Sequence, residues 1–157
     1  MNVLNILGEW NDDEKRQDLI HRAKDEYDAK TKANAIFPIK VVPVRIDKKW
    51  GYEKWVVNND EFCGKLLHFN KGAQFSCHAH HKKREVFEIE RGLVELMTID
   101  QRDASQTKWI LKPGDVVEIP RFLPHQITAL EESEVREYST THREDDSFRV
   151  LPGDSQK

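Results

Sequence analysis

Gly72-Ala73-Gln74-Phe75-Ser76-Cys77-His78-Ala79-His80-His81-Lys82-Lys83-Arg84-Glu85-Val86-Phe87-Glu88-Ile89-Glu90-Arg91-Gly92 is a pair of short strand signals bounded by turn-forming glycines. Side chains alternate along a strand, so His78 and His80 point to one face and both imidazoles reach one point. Glu85 follows after four residues, at the start of the next alternating run, Val86 to Ile89. This is chelation spacing. Neutral imidazole suits zinc, copper, iron and nickel, and the carboxylate widens the choice to manganese.

Outward from this stretch, short β-branched and aromatic runs alternate with turn signals, the layout of an antiparallel all-β domain. Strands are expected at Ile39 to Ile46, Lys54 to Val57, Phe62 to Asn70, Phe75 to His80 and Val86 to Ile89. Further ones are expected at Leu93 to Ile99, Lys108 to Leu111, Val116 to Ile119, His125 to Leu130 and Val135 to His142. Asn58-Asn59-Asp60, Lys71-Gly72, Arg91-Gly92 and Pro113-Gly114-Asp115 supply turns. So many short strands close most naturally into a small barrel, which removes exposed edges.

Before the strands, Asn11-Asp12-Asp13-Glu14 offers an N-cap and an acidic first turn, and Leu19, Ile20, Ala23 and Tyr27 recur at helical spacing. A helix over about 12 to 33 is expected, with Pro38 ending any continuation. The organisation that follows is a helical segment over 1–38, a barrel over 39–142 and a polar tail over 143–157 that frays at its end.

Among seven histidines, His125 stands out, since it follows Gly114-Asp115 and Pro120 to Pro124 and opens the apolar run to Leu130. Gly72, His78, His80, Glu85 and Gly92 together resemble the first motif of the cupin superfamily at every fixed position. Gly114, Pro120 and His125 resemble the second. The second departs at Phe122, where the motif often has Gly, and at Ala129, where it often has Asn; neither position is a metal ligand in the family. The resemblance implies an all-β double-stranded β-helix, a jelly-roll barrel with an N-terminal α-helix. It also implies one divalent transition metal (Zn, Mn, Fe, Ni or Co) held by His78, His80, Glu85 and His125, and a homodimer.

The bulk numbers narrow the partners. A chain of 157 residues is one ordinary domain in size. A net charge of -3 with 34% charged residues of mixed sign leaves no basic stripe for nucleic acid and no polybasic segment for a membrane. No apolar run approaches the roughly 20 residues of a bilayer span. The N-terminus lacks the layout of a signal peptide, so a cytoplasmic protein is expected. Cys63 and Cys77 are too few for a disulfide scaffold and are expected reduced.

Three neutral imidazoles and one carboxylate leave a divalent metal positive and, in an octahedral field, with open positions, hence a Lewis acid able to hold vicinal oxygens. Trp50-Gly51-Tyr52-Glu53, Lys65 within Cys63-Gly64-Lys65, and Glu144-Asp145-Asp146 with Arg149 are similar to elements of cupin-type phosphomannose isomerases and lyxose isomerases. That resemblance implies a small-molecule substrate, a sugar or sugar phosphate, and an aldose–ketose isomerisation or epimerisation through a metal-bound enediol. A base is then needed near C1 or C2, and Glu137, Lys65 and Glu53 are the candidates. Lys82, Lys83, Arg84 and Arg121 lie beside ligands and are candidates to hold a phosphate. Lys83 and Arg121, with His142 just past the last strand, are the substrate-binding set. His68, which alternates with Leu67 and Phe69, is expected to face the barrel. Two alternatives stay open, an iron- or manganese-dependent oxygenase of a small organic substrate and a non-enzymatic sugar-binding cupin.

Overall fold

The computed structural model describes His21, Arg22, Asp25, Pro38 and residues 40–157. Of the helix expected over 12–33, His21, Arg22 and Asp25 are helical, and the rest lies outside the described residues. Val41–Lys157 form one compact unit.

That unit is all-β. Its strands are β1 (Val44–Lys48), β2 (Gly51–Asn58), β3 (Cys63–Phe69), β4 (Cys77–Ala79), β5 (Glu85–Arg91), β6 (Val94–Ile99), β7 (Gln106–Leu111), β8 (Val116–Ile119), β9 (His125–Ala129), β10 (Ser133–Ser139) and β11 (Phe148–Leu151). They form two antiparallel sheets, ordered β1-β2-β3-β10-β5-β8 and β11-β4-β9-β6-β7. Each expected strand is present, the one at Val116–Ile119 with its expected ends and the others with shifted ends. The first starts at Val44 rather than Ile39, and the Trp50-Gly51 element opens β2.

The tail is structured. Glu144–Asp146 form a 3-10 turn, β11 pairs with β4, and Asp154–Gln156 form a second 3-10 turn. Asp146 and Gly153 are buried. A Cβ at Gly153 would run into Ser76 N and the Phe75 carbonyl group, so the tail's backbone lies directly on the chain entering β4. The polar composition of the segment hides this, because β11 acquires its partner through tertiary contact.

Alternation places one row of each strand inside. In β3 the inward row is Cys63, Lys65, Leu67 and Phe69, in β10 it is Ser133, Val135 and Glu137, and in β5 it is Glu85, Phe87 and Ile89. Register sets Lys65 beside Glu137 and Leu67 beside Val135, then Glu137 beside Phe87 and Val135 beside Ile89. Across three neighbouring strands the inner row therefore changes from apolar to charged in the same direction. The apolar end is a core of Trp50, Leu67, Phe69, Phe75, Ile89, Val94, Leu96, Ile127 and Val135, with Trp50 stacked on Phe69 at 4.6 Å. The charged end holds the site. His68 belongs to the other row of β3 and stacks on Tyr52 at 4.7 Å, so it faces away from the core, contrary to the expectation that it faces the barrel.

Candidate metal centre

His78 lies in β4 and His80 just beyond it, while His125 opens β9 directly opposite His78. The ligand atoms of these three imidazoles lie within 4.8 Å of one another, a grouping that could hold a metal ion. Each ring is fixed by its other nitrogen. Nδ1 lies 2.6 Å from Ser76 O in His78, 2.6 Å from Asp146 O in His80 and 2.9 Å from Leu123 O in His125. A carbonyl only accepts, so each Nδ1 carries the proton and each Nε2 presents a lone pair. Outer hydrogen bonds of this kind set tautomer and ring orientation at metal sites.

Nε2 of His80, Nε2 of His125 and Oε2 of Glu85 are buried without a hydrogen-bond partner. Glu85 Oε2 lies 3.1 Å from His125 Nε2 and 3.6 Å from His80 Nε2. Lone pairs facing a carboxylate oxygen at these distances repel one another, and a cation among them would turn the repulsion into coordination. The residues present therefore fit a divalent metal. Burial, reinforced by His125, lowers the pKa of His78 to about 3, and burial likewise lowers that of His80. Burial would raise the carboxyl of Glu85, but Lys83 together with His125 and His80 outweighs it and holds Glu85 well below the usual carboxylate range.

A chain of alternating charge runs outward from the centre. Lys83 Nζ contacts Glu85 Oε1 at 2.5 Å and Glu137 Oε1 at 3.1 Å, and all three side chains are at least 95% buried. Lys65 Nζ lies 3.8 Å from the same Glu137 oxygen, 3.7 Å from Glu53 Oε2 and 3.2 Å from His142 Nδ1. Glu53 in turn accepts from Trp55 Nε1 at 2.6 Å and faces Lys48 at 3.5 Å. Burial opposes the charges on Glu137 and Lys83, yet Lys83 and Lys65 hold the Glu137 carboxyl below its ordinary value, and Glu137 and Glu85 hold Lys83 above its own. A cavity of about 120 Å³ is lined by His78, His80, Glu85, Lys83, Glu137, Lys65, Glu53 and His142.

Residues 65–141 match the cupin domain family. This stretch is a cupin domain. Solved structures agree on the fold. The cupin superposes on CapF, a capsular polysaccharide assembling protein from Staphylococcus aureus, with a TM-score of 0.61 at 16% identity over 76% of this chain and 34% of that one. Oxalate decarboxylase from Bacillus subtilis, which has Mn(II) centres, gives 0.60 at 18% identity over 73% and 34%. KdgF from Halomonas sp. gives 0.50 at 23% identity over 60% and 81%. The chain thus spans about a third of the length of the first two. No curated protein matches the sequence.

Within this cupin the predicted residues divide. His78, His80, Glu85, Lys83, Glu137, Lys65, Glu53 and His142 converge on one cavity. Arg121 does not: it is exposed, it is absent from the cavity wall, and its Nε donates to Lys82 O at 2.6 Å. Arg84 pairs with Glu118 and Lys82 with Asp145, both at the surface. Lys83 lines the cavity, but its ammonium is committed to two carboxylates rather than free for a phosphate. Sequence reasoning missed the outer supports. Asp146 is named only within the Glu144-Asp145-Asp146 resemblance, with no role of its own, yet its carboxylate accepts the backbone N–H of His81, Lys82 and Lys83 while its carbonyl orients His80. Arg149, register partner of His78 on β11, also lines the cavity. The departure at Phe122 keeps the backbone form that glycine favours, with φ 68, and its N–H donates to His80 O at 2.8 Å.

Proposed function

We propose that this cupin is a metal-dependent isomerase or epimerase of a small sugar or sugar phosphate. The observation that carries the reading is the placement of Glu137, a buried ionised carboxylate anchored through Oε1, in the wall of the cavity that His78, His80 and Glu85 also line. His78, His80 and His125, with Glu85 as fourth donor, would hold a divalent metal. When bound, it supplies Lewis acidity toward a carbonyl and the neighbouring hydroxyl.

The chain's own groups then divide the remaining work. Glu137 Oε1 is held by Lys83 and by Ser139 Oγ at 3.0 Å, which leaves Oε2 to take a proton from the carbon beside the carbonyl and return it to the adjacent carbon. Lys65 Nζ lies 3.8 Å from that carboxylate and 3.2 Å from His142 Nδ1, so the pair can orient hydroxyls at the cavity wall. Arg149 has no acidic partner among the described residues and stands beside His78, where its guanidinium suits a phosphate or carboxylate of the substrate.

The test is proton exchange. The protein loaded with Mn, Co, Zn, Ni or Fe(II) is incubated in D2O with aldoses, ketoses and their phosphates. NMR is expected to show deuterium at C1 or C2 and interconversion of one pair. Glu137→Gln is expected to abolish both while keeping its metal. No exchange across the panel refutes the isomerase, and substrate-dependent oxygen uptake instead would point to the oxygenase alternative.

A further inference from the structure

Lys83 is an unusual neighbour for a cation site. A buried ammonium beside a prospective metal repels it, so its presence needs a compensating reason. Its contacts supply one. Nζ sits 2.5 Å from Glu85 Oε1 and 3.1 Å from Glu137 Oε1, with the Lys83 side chain only 4% exposed. Glu85 comes from the start of β5 and Glu137 from β10, and one ammonium ties the two carboxylates by their Oε1 atoms. The consequence for Glu85 is directional. With Oε1 engaged, Oε2 alone faces His125 and His80, and that oxygen is buried without another partner.

The backbone of Lys83 is fixed as well. Its N–H donates to Asp146 Oδ2 at 2.9 Å, and the preceding N–H groups of His81 and Lys82 donate to the same carboxylate. The lysine is therefore held at its root by the tail and at its tip by two strands. A phosphate-binding lysine would be expected to have a free tip. This one is built as a brace.

We propose that Lys83 is a positioning residue that yokes Glu85 to Glu137, turning Glu85 into a one-oxygen donor to the metal and setting Glu137 at a fixed place in the cavity wall. The inference rests on the metal-centre half of the proposed function and is independent of the isomerase half. It concerns how a ligand is oriented, so it is read on the metal itself.

The experiment uses Co(II), whose visible absorption reports ligand number and geometry, on the full chain and on Lys83→Met, Glu85→Gln, Glu137→Gln and the double variant Lys83→Met/Glu85→Gln. Lys83→Met is expected to change the Co(II) spectrum and to weaken Co(II) binding about 10-fold, the usual scale for an outer support of a ligand. In the Glu85→Gln background the same change is expected to alter neither by more than about twofold, because the oriented group is gone. Glu137→Gln, a near-isosteric change outside the ligand set, is expected to shift the spectrum through Lys83. It keeps the test decisive if Lys83→Met does not fold.

A spectrum indifferent to Glu137→Gln overturns the yoke, as does an equal effect of Lys83→Met in both backgrounds. Tighter Co(II) binding in Lys83→Met does so too, since it would show a lysine acting only by repulsion. A parent protein that takes up no Co(II) overturns the yoke together with the metal centre. Normal Co(II) spectra without sugar turnover leave the yoke standing while the isomerase falls, so the two failures are told apart.

Discussion

The carbonyl oxygen of Asp146 lies 2.6 Å from Nδ1 of His80, while the carboxylate of the same residue holds the backbone just after that histidine. One residue of the C-terminal tail thus orients a ligand and freezes the loop between two ligands. Burial would raise its carboxyl, but hydrogen bonds from Lys83, Lys82 and His81 hold the pKa below its ordinary value. Asp146→Ala leaves these amides without an acceptor. An unmet buried donor costs on the order of 1–3 kcal/mol, so a loss of about 3 kcal/mol is expected in urea unfolding, with metal affinity about 10-fold weaker. A loss under about 0.5 kcal/mol would show that solvent replaces the carboxylate.

Acid should weaken the metal-free protein through His78. Its pKa falls from 6.5 to about 3 on folding, chiefly by burial. Below pH 6.5 the unfolded chain binds a proton there that the native chain refuses until about pH 3. Stability contributed by this group is therefore complete above 6.5 and lost as pH falls toward 3, by roughly 1.4 kcal/mol per pH unit. His80 acts in the same direction. Denaturant midpoints at pH 7, 6, 5 and 4 should fall steadily, and less steeply in His78→Gln. An equal slope in that variant would remove His78 as a cause.

How much of this was legible beforehand follows from where the information sits. His78, His80 and Glu85 were readable because strand alternation is local, and His125 because its motif carries its own glycine and proline punctuation. Glu137 was one of three candidate bases, and its direction follows from alternation. Its neighbour Arg136 takes the outward role, bonding Glu90 at 2.6 Å, and period two sends Glu137 inward. The surroundings of Lys83, Arg121 and Asp146 were hidden for one common reason. Each contacts a group at least 39 positions away, Lys83 to Glu137, Arg121 to the Lys82 carbonyl and Asp146 to the His81 N–H, and no local pattern encodes such a partner.

Arg149 should discriminate between charged and neutral substrates. It faces the cavity next to His78 and has no acidic partner among the described residues, whereas Lys65 and Lys83 are already compensated by carboxylates. Under the proposed function, Arg149→Gln is expected to raise KM for a sugar phosphate about 10-fold or more and to leave KM for the neutral sugar within about twofold, since a charge-assisted bidentate contact is worth about 1.5–3 kcal/mol. Equal effects on both substrates would place Arg149 outside phosphate recognition.

Gly153 links the tail to the centre by packing alone. Its backbone is extended, with φ -102, so alanine meets no torsional penalty there. The obstacle is space, because a new Cβ would overlap Ser76 N and the Phe75 carbonyl group. Neither atom can move independently of Ser76 O, which fixes the His78 ring at 2.6 Å. Asp154 adds to the constraint by accepting Gln74 N–H through its carboxylate at 2.8 Å. Gly153→Ala must therefore either lift the tail or shift the segment that aims His78. Overpacking of this kind costs typically 1–3 kcal/mol. We expect the melting temperature to fall, proteolysis to begin within residues 147–157, and metal affinity to drop in parallel. A lower melting temperature with unchanged metal affinity would mean that the tail lifts without disturbing β4. In that case the orientation of His78 depends on the sheet rather than on the tail.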